Sequence, residues 1–104
     1  MRLALLALLL AAPLATPALA QDIPFTCASI LANAERSQGD MQMAAGTYFH
    51  GIFMGKPCVK VDYARAFELM DRSGRDRTPF LKILRQRAAT GNPSAIRALQ
   101  RFGP

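Results

Sequence analysis

Residues 44–74, AAGTYFHGIFMGKPCVKVDYARAFELMDRSG, contain two helix-like runs separated by a turn, and they decide the fold of this chain. Small residues and an aromatic come first, glycine and proline then interrupt the run, and a second run starts at Asp62. One face of that second run is apolar at the i, i+3, i+4 and i+7 positions: Tyr63, Ala66, Phe67 and Met70. Such a face has to be buried, so the stretch predicts a helix, a short glycine-rich turn and a second helix.

The order of small, aromatic and charged residues in this stretch resembles the Sel1-like repeat of the tetratricopeptide superfamily. The repeat has a small-Gly pair, then an aromatic, a Gly, a Val, an Asp and a Lys-Ala pair before a second aromatic. The chain matches it at Ala44-Ala45, Tyr48, Gly51, Val59, Asp62, Arg65-Ala66 and Phe67. Residues 88–95, AATGNPSA, are similar to the joint between successive repeats.

The resemblance covers about residues 44–74 and 88–99 and implies a small antiparallel helix-turn-helix array. It also implies a binding scaffold, because repeats of this family hold protein or peptide partners. The match amounts to about one complete repeat with partial neighbours, fewer than the roughly three that a free solenoid needs. An irregular, disulfide-tied helical bundle is therefore the alternative architecture.

The first 20 residues have the form of a secretory signal peptide. A charged start, Met1-Arg2, precedes an apolar run from Leu3 to Ala12, and the segment ends in Ala18-Leu19-Ala20. The apolar run is ten residues long, whereas a membrane-spanning helix needs about 20. The sequence predicts cleavage after Ala20 and a bacterial-type periplasmic or secreted protein, with residues 21–104 as a single small helical domain.

Cys27 and Cys58 are the two cysteines of the chain, and export would place them in an oxidising compartment. A structural disulfide between them is the first expectation, with free thiols or a chemical role as the alternatives. They do not form a Cys-x-x-Cys pair, and His50 is the only histidine. We therefore expect no metal site and no cofactor.

The positive charge is concentrated in the C-terminal part of the chain. Residues 72–104 contain eight basic residues and one acidic residue, whereas residues 21–71 carry a net charge of −2. A field of this sign favours anionic partners, and the alternative is a solvated face that only keeps the protein soluble. Aromatics are not interleaved with the basic residues, so we expect no nucleic-acid binding. An anionic membrane surface is compatible with the charge, but no other feature of the sequence supports it.

Capping signals predict five helices and no strand. The expected N-caps are Thr26, Asp40, Asp62, Thr78 and Asn92, and Gly39 is expected to end the first helix. We expect the second, third and fourth helices to meet at Tyr48, Phe67 and Leu84. We expect Arg85 and Arg87 to point away from this core.

No combination of residues predicts a catalytic site. A lone helical histidine such as His50 is more often a packing residue than a general base. Asp62 has the position of a helix cap, and the glycines near Lys56 lack the pattern of a phosphate-binding loop. We therefore expect a non-enzyme.

The predicted function is that of an exported, non-catalytic protein-interaction module. The alternative is a small disulfide-tied periplasmic protein of another helical family, such as an inhibitor, immunity or stress-type protein that acts by binding. The partner is expected to be a protein or peptide, with an acidic one favoured by the charge. The candidate partner-binding residues are Tyr48, Tyr63, Arg85, Arg87 and Arg97.

Overall fold

The computed structural model describes residues 25–103, which form five helices and one short hairpin. The predicted signal peptide lies outside the described residues. The all-α prediction with about five helices is confirmed. The prediction of no strand is wrong, because strands of two residues are too short to produce a period-two pattern. In chain order the elements are α1 (Cys27–Ala32), α2 (Gln38–His50), β1 (Ile52–Phe53), β2 (Lys56–Pro57), α3 (Tyr63–Ser73), α4 (Thr78–Ala89) and α5 (Pro93–Phe102).

Helices α2 and α3 form an antiparallel pair. At one end of the pair, the backbone N–H of Asp62 donates to the carbonyl oxygen of Tyr48 at 3.0 Å. At the other end, the side-chain amide of Gln38 donates to the carbonyl oxygen of Ser73 at 2.7 Å, which satisfies a carbonyl at the end of α3. Ala44 and Ala45 are fully buried, and their small side chains let the two helices approach closely.

Helices α4 and α5 form a second antiparallel pair, which packs on the first through aromatic rings. Arg77, just before α4, donates from Nη2 to the carbonyl oxygen of Phe102 at the end of α5 (2.9 Å). The ring of Phe102 stacks on Phe67 of α3 with 5.1 Å between centroids. Phe49 of α2 meets Phe80 of α4 edge-on at 5.0 Å. The buried apolar residues of both pairs thus belong to one core.

The expected meeting point of the helices is largely confirmed. Phe67 and Leu84 are fully buried, whereas Tyr48 is only half-buried. Tyr48 lies near the C-terminal end of α2, where its ring lines a groove at the protein surface. None of the helices in residues 25–103 has the length and apolar character needed to cross a membrane.

The hairpin between α2 and α3 is fixed at its base by a left-handed glycine and by the disulfide. Gly51 ends α2 with φ 72°, and a Cβ atom at this position would lie 2.8 Å from the carbonyl oxygen of Val59. Only glycine avoids both the conformational cost and this contact. Cys58, directly after β2, is bonded to Cys27 at the start of α1, with 5.6 Å between the Cα atoms. The predicted Cys27–Cys58 disulfide is confirmed.

Glu35 joins the segment between α1 and α2 to helix α3. Its carboxylate accepts from Arg72 and Arg65, each at 2.8 Å. Hydrogen bonds from these two guanidinium groups lower the pKa of the Glu35 carboxyl to about 2, and the hydrogen bond from Arg72 has the larger effect. The pairs are exposed, so screening by water and salt limits their contribution to stability.

Two of the predicted helix starts are wrong. Ser37 caps α2 in place of Asp40, because its hydroxyl accepts from the Asp40 N–H at 3.1 Å, and Gly39 lies inside the first turn of the helix. Thr78 is the first residue of α4, and its N–H donates to a carboxylate oxygen of Asp76 at 2.9 Å. The remaining predicted caps are confirmed: Thr26, Asp62 and Asn92.

Candidate functional site

A groove of about 650 Å³ lies where the start of α3 and its preceding loop face helix α5. We call it the α3–α5 groove. The loop and α3 contribute one side of it, and α5 contributes the other. Its lining residues are Tyr48, Val59, Lys60, Val61, Asp62, Tyr63, Ala64, Ser94, Arg97, Ala98, Arg101 and Phe102.

The inner surface of the groove is apolar and aromatic. Tyr63 and Ala98 are buried, and Phe102 is half-buried. Tyr63 packs its ring edge-on against Phe49 with 5.1 Å between centroids, so this wall is part of the core and is held rigidly. A preformed apolar floor of this kind can bind a partner without first being ordered.

Basic side chains dominate the charge of the groove. Arg97 and Arg101 are four residues apart on α5, which places them on the same face of the helix, and Lys60 lies on the opposite rim. Among the described residues, neither Arg97 nor Arg101 forms an ion pair with a carboxylate. Asp62 is the single carboxylate of the lining, and one of its oxygens accepts from the N–H of Arg65 as the cap of α3. The net field of the groove is therefore positive.

The structure brings three of the five predicted partner-binding residues together in this groove. Tyr48, Tyr63 and Arg97 all line it. Tyr63 is only 6% exposed, so it supports the wall of the groove and offers little surface to a partner. Arg85 is exposed on α4, outside the groove lining.

Arg87 does not point away from the core, so that prediction is wrong. Its Nη1 donates to the hydroxyl of Tyr63 at 2.9 Å and to the carbonyl oxygen of Phe49 at 3.4 Å. Its guanidinium carbon lies 5.0 Å from the centroid of the Phe49 ring. The positive charge thus meets both an aromatic face and the negative end of helix α2. Arg87 holds the groove wall from behind.

His50 is exposed and lies beside these contacts of Arg87. Arg87 Nη2 lies 3.4 Å from Nδ1 of His50. Burial, then the nearby charges of Arg87 and Arg75, lowers the pKa of the imidazole. A neutral ring can accept the hydrogen bond from Arg87 at Nδ1, whereas an imidazolium cannot.

No group of three or more histidine, cysteine, aspartate or glutamate side chains is placed to hold a metal ion in residues 25–103. Both cysteines, Cys27 and Cys58, form the disulfide. The α3–α5 groove itself offers shape, apolar surface and positive charge.

Two basic lining residues, Lys60 and Arg101, were not predicted, although the sequence pattern could have revealed them. Arg101 follows Arg97 by four positions, and Lys60 lies two residues before the cap of α3. The inward position of Arg87 could also have been found. It follows Phe80 by seven residues and Leu84 by three, which is the spacing of one helical face.

No protein-family model, curated protein or solved structure matches this chain. The resemblance to the Sel1-like repeat therefore stays a prediction from the quoted residues.

Proposed function

We propose that the chain is an exported, non-catalytic protein-interaction module, related to Sel1-like scaffolds, that holds an acidic segment of a partner protein in the α3–α5 groove. The observation that carries this proposal is the combination of an apolar, rigid floor with Arg97 and Arg101 on one rim. An acidic segment with apolar side chains would be complementary to both features.

The disulfide supports the exported location. A bridge between Cys27 and Cys58 forms and persists in an oxidising compartment and is rare in the cytosol. This fits the signal peptide that the sequence predicts at residues 1–20.

The proposal is tested by capturing the partner and then filling the groove. The exported protein is used as bait in the exported fraction, and the captured protein is identified and purified. Ala64 lines the groove and is half-buried, so Ala64→Leu adds bulk to the groove without changing its charge. Ala89→Leu, at the exposed end of α4, is the matched control.

We expect Ala64→Leu to weaken binding of the purified partner by roughly tenfold or more, because lost complementarity and displaced contacts readily exceed 1.4 kcal/mol. The control variant should bind like the wild type, and both should melt normally. Equal binding by the wild type and both variants would contradict the assignment of the groove as the binding site.

A further inference from the structure

The tip of the β1–β2 hairpin has a methionine where the backbone favours other residues. Met54 and Gly55 form the two-residue turn, with φ values of 53° and 78°. A turn with positive φ at both positions prefers asparagine, aspartate or glycine, and a long side chain there carries a conformational cost. Met54 is 71% exposed, so packing within the chain does not offset that cost. An external contact would explain the methionine.

The apolar surface continues on both faces of the hairpin. In the pairing, Ile52 is opposite Pro57 and Phe53 is opposite Lys56. Ile52 is 48% exposed on its face. On the other face, Phe25 packs edge-on against Phe53 with 5.0 Å between centroids and is itself 57% exposed. We call Phe25, Ile52 and Met54 the hairpin patch.

The base of the hairpin is rigid. The carbonyl oxygen of Gly51 accepts from the N–H groups of Cys58 at 2.9 Å and Val59 at 3.3 Å. The Cys27–Cys58 bond follows immediately after β2 and ties it to α1. The hairpin patch is therefore presented in a fixed position, and its exposure is not a consequence of a loose loop.

The hairpin and its flanking residues carry positive charge without negative charge nearby in the sequence. Residues 41–61 contain no aspartate or glutamate, and Lys56 and Lys60 are both exposed. Residues 21–104, which remain after the predicted cleavage, carry 12 basic and 7 acidic residues, a net charge of +5. An apolar tip flanked by lysines is complementary to the acyl and headgroup layers of an anionic lipid surface.

We propose that the hairpin patch inserts into the interface of an anionic lipid membrane, with Lys56 and Lys60 at the level of the headgroups. A protein partner with a flat surface would cover one face of the hairpin. The lipid interface surrounds an inserted tip, and this accounts for apolar side chains on both faces and at the end. Phe25, Ile52 and Met54 of the hairpin patch do not line the α3–α5 groove, whereas Lys60 lies on the rim of that groove as well as near the patch.

Binding is measured by cosedimentation of the purified exported protein with phosphatidylcholine vesicles, with and without phosphatidylglycerol, at low salt. Met54→Asn keeps the turn favourable and removes the apolar tip, while Met43→Gln removes an exposed methionine from α2 as the control. We expect the wild type to bind the anionic vesicles and Met54→Asn to bind roughly fivefold more weakly. Met43→Gln should bind like the wild type, and Lys56→Gln with Lys60→Gln should weaken binding only at low salt.

A second measurement locates the inserted residue. The sequence has no tryptophan, so Met54→Trp and Met43→Trp each introduce a single tryptophan fluorophore. We expect the emission of Met54→Trp, but not of Met43→Trp, to shift to shorter wavelength when anionic vesicles are added. The proposal is overturned if the wild type stays in the supernatant with anionic vesicles or if Met54→Asn binds them like the wild type. The proposal is also overturned if the wild type does not bind vesicles and Met54→Asn no longer binds a purified protein partner. In that case the hairpin patch is the binding site for that protein.

Discussion

Arg87 is the residue whose position departs most from the prediction, and its contacts predict a structural role. One guanidinium group contacts the Tyr63 hydroxyl, the Phe49 carbonyl oxygen and the Phe49 ring. Removal of the Arg87 side chain would leave the end of α2 and the hydroxyl of the buried Tyr63 without these contacts.

We therefore expect Arg87→Ala to lower the free energy of unfolding by about 1–3 kcal/mol, measured by urea denaturation. Arg85→Ala, two positions earlier on the same helix and exposed, should change it by less than about 0.5 kcal/mol. Equal effects of the two substitutions would contradict the structural role of Arg87.

We expect the titration of His50 to make the stability of the protein depend on pH near neutrality. The pKa of His50 is lowered in the folded protein by burial and by Arg87 and Arg75, whereas the unfolded chain has the ordinary value of about 6.5. Below that value the unfolded state binds more protons than the folded state, so the free energy of unfolding falls as the pH falls from about 7 to 5.

Denaturation curves of the wild type and His50→Gln at several pH values measure this effect. We expect the variant to lose most of the dependence between about pH 7 and 5, because the sequence has no other histidine. The loss of stability at lower pH should remain, because the pKa values of the Glu35, Asp40 and Asp76 carboxyls are lowered in the folded protein. A variant with the same slope as the wild type between pH 7 and 5 would show that another group is responsible.

At the scale of elements, helix type and order could be predicted because the apolar spacing repeats over several turns. Helix α3 shows this best: its cap Asp62, its buried face and its terminal Gly74 all follow from the sequence. Helix α2 could not be placed as well, because Ser37 and Asp40 are both good caps and only the structure decides between them. The hairpin could not be predicted, since each strand has only two residues.

The candidate site could be predicted only in part, because the orientation of long side chains does not follow from the sequence. The sequence indicates which residues are basic, but long arginine side chains can turn toward rings and carbonyl groups or toward water. Arg75 lies over the Phe80 ring, Arg77 over the Phe67 ring and Arg87 over the Phe49 ring. These three hold elements together, so the basic C-terminal part is a structural feature as well as a charged surface.

The disulfide belongs to the element scale, because it joins the short helix α1 to the segment that precedes α3. The closed loop has about 32 residues, for which the chain-entropy model gives about 3–4 kcal/mol. We expect Cys27→Ser with Cys58→Ser to lower the melting temperature by about 10 °C or more. Intact mass before and after reduction checks that the wild type carries the bond. Two thiols open to alkylation in the native wild type would contradict the bridge.

At the scale of the whole molecule, the eight basic residues of the C-terminal part, 72–104, divide into those bound internally and those available to a partner. Arg72, Arg75, Arg77 and Arg87 contact carboxylates, carbonyl groups or rings of the chain. The outward set consists of the exposed residues Lys82 and Arg85 on α4 and Arg97 and Arg101 on α5, although Arg101 also lies over the ring of the adjacent Phe102. All four residues of the outward set attract an acidic partner at long range. Of these four, only Arg97 and Arg101 can contact a partner inside the α3–α5 groove.

This division predicts a specific salt dependence. Binding of the captured partner should weaken as salt rises, because the Debye length is about 8 Å at physiological ionic strength and shorter in more concentrated salt. Arg97→Gln with Arg101→Gln should lower affinity at all salt concentrations and flatten the dependence. Lys82→Gln with Arg85→Gln removes the same charge from α4 and should reduce mainly the association rate at low salt. If both double variants change affinity and salt slope equally, the field of the molecule attracts the partner without a defined site on α5, and the α3–α5 groove is not where the acidic segment binds.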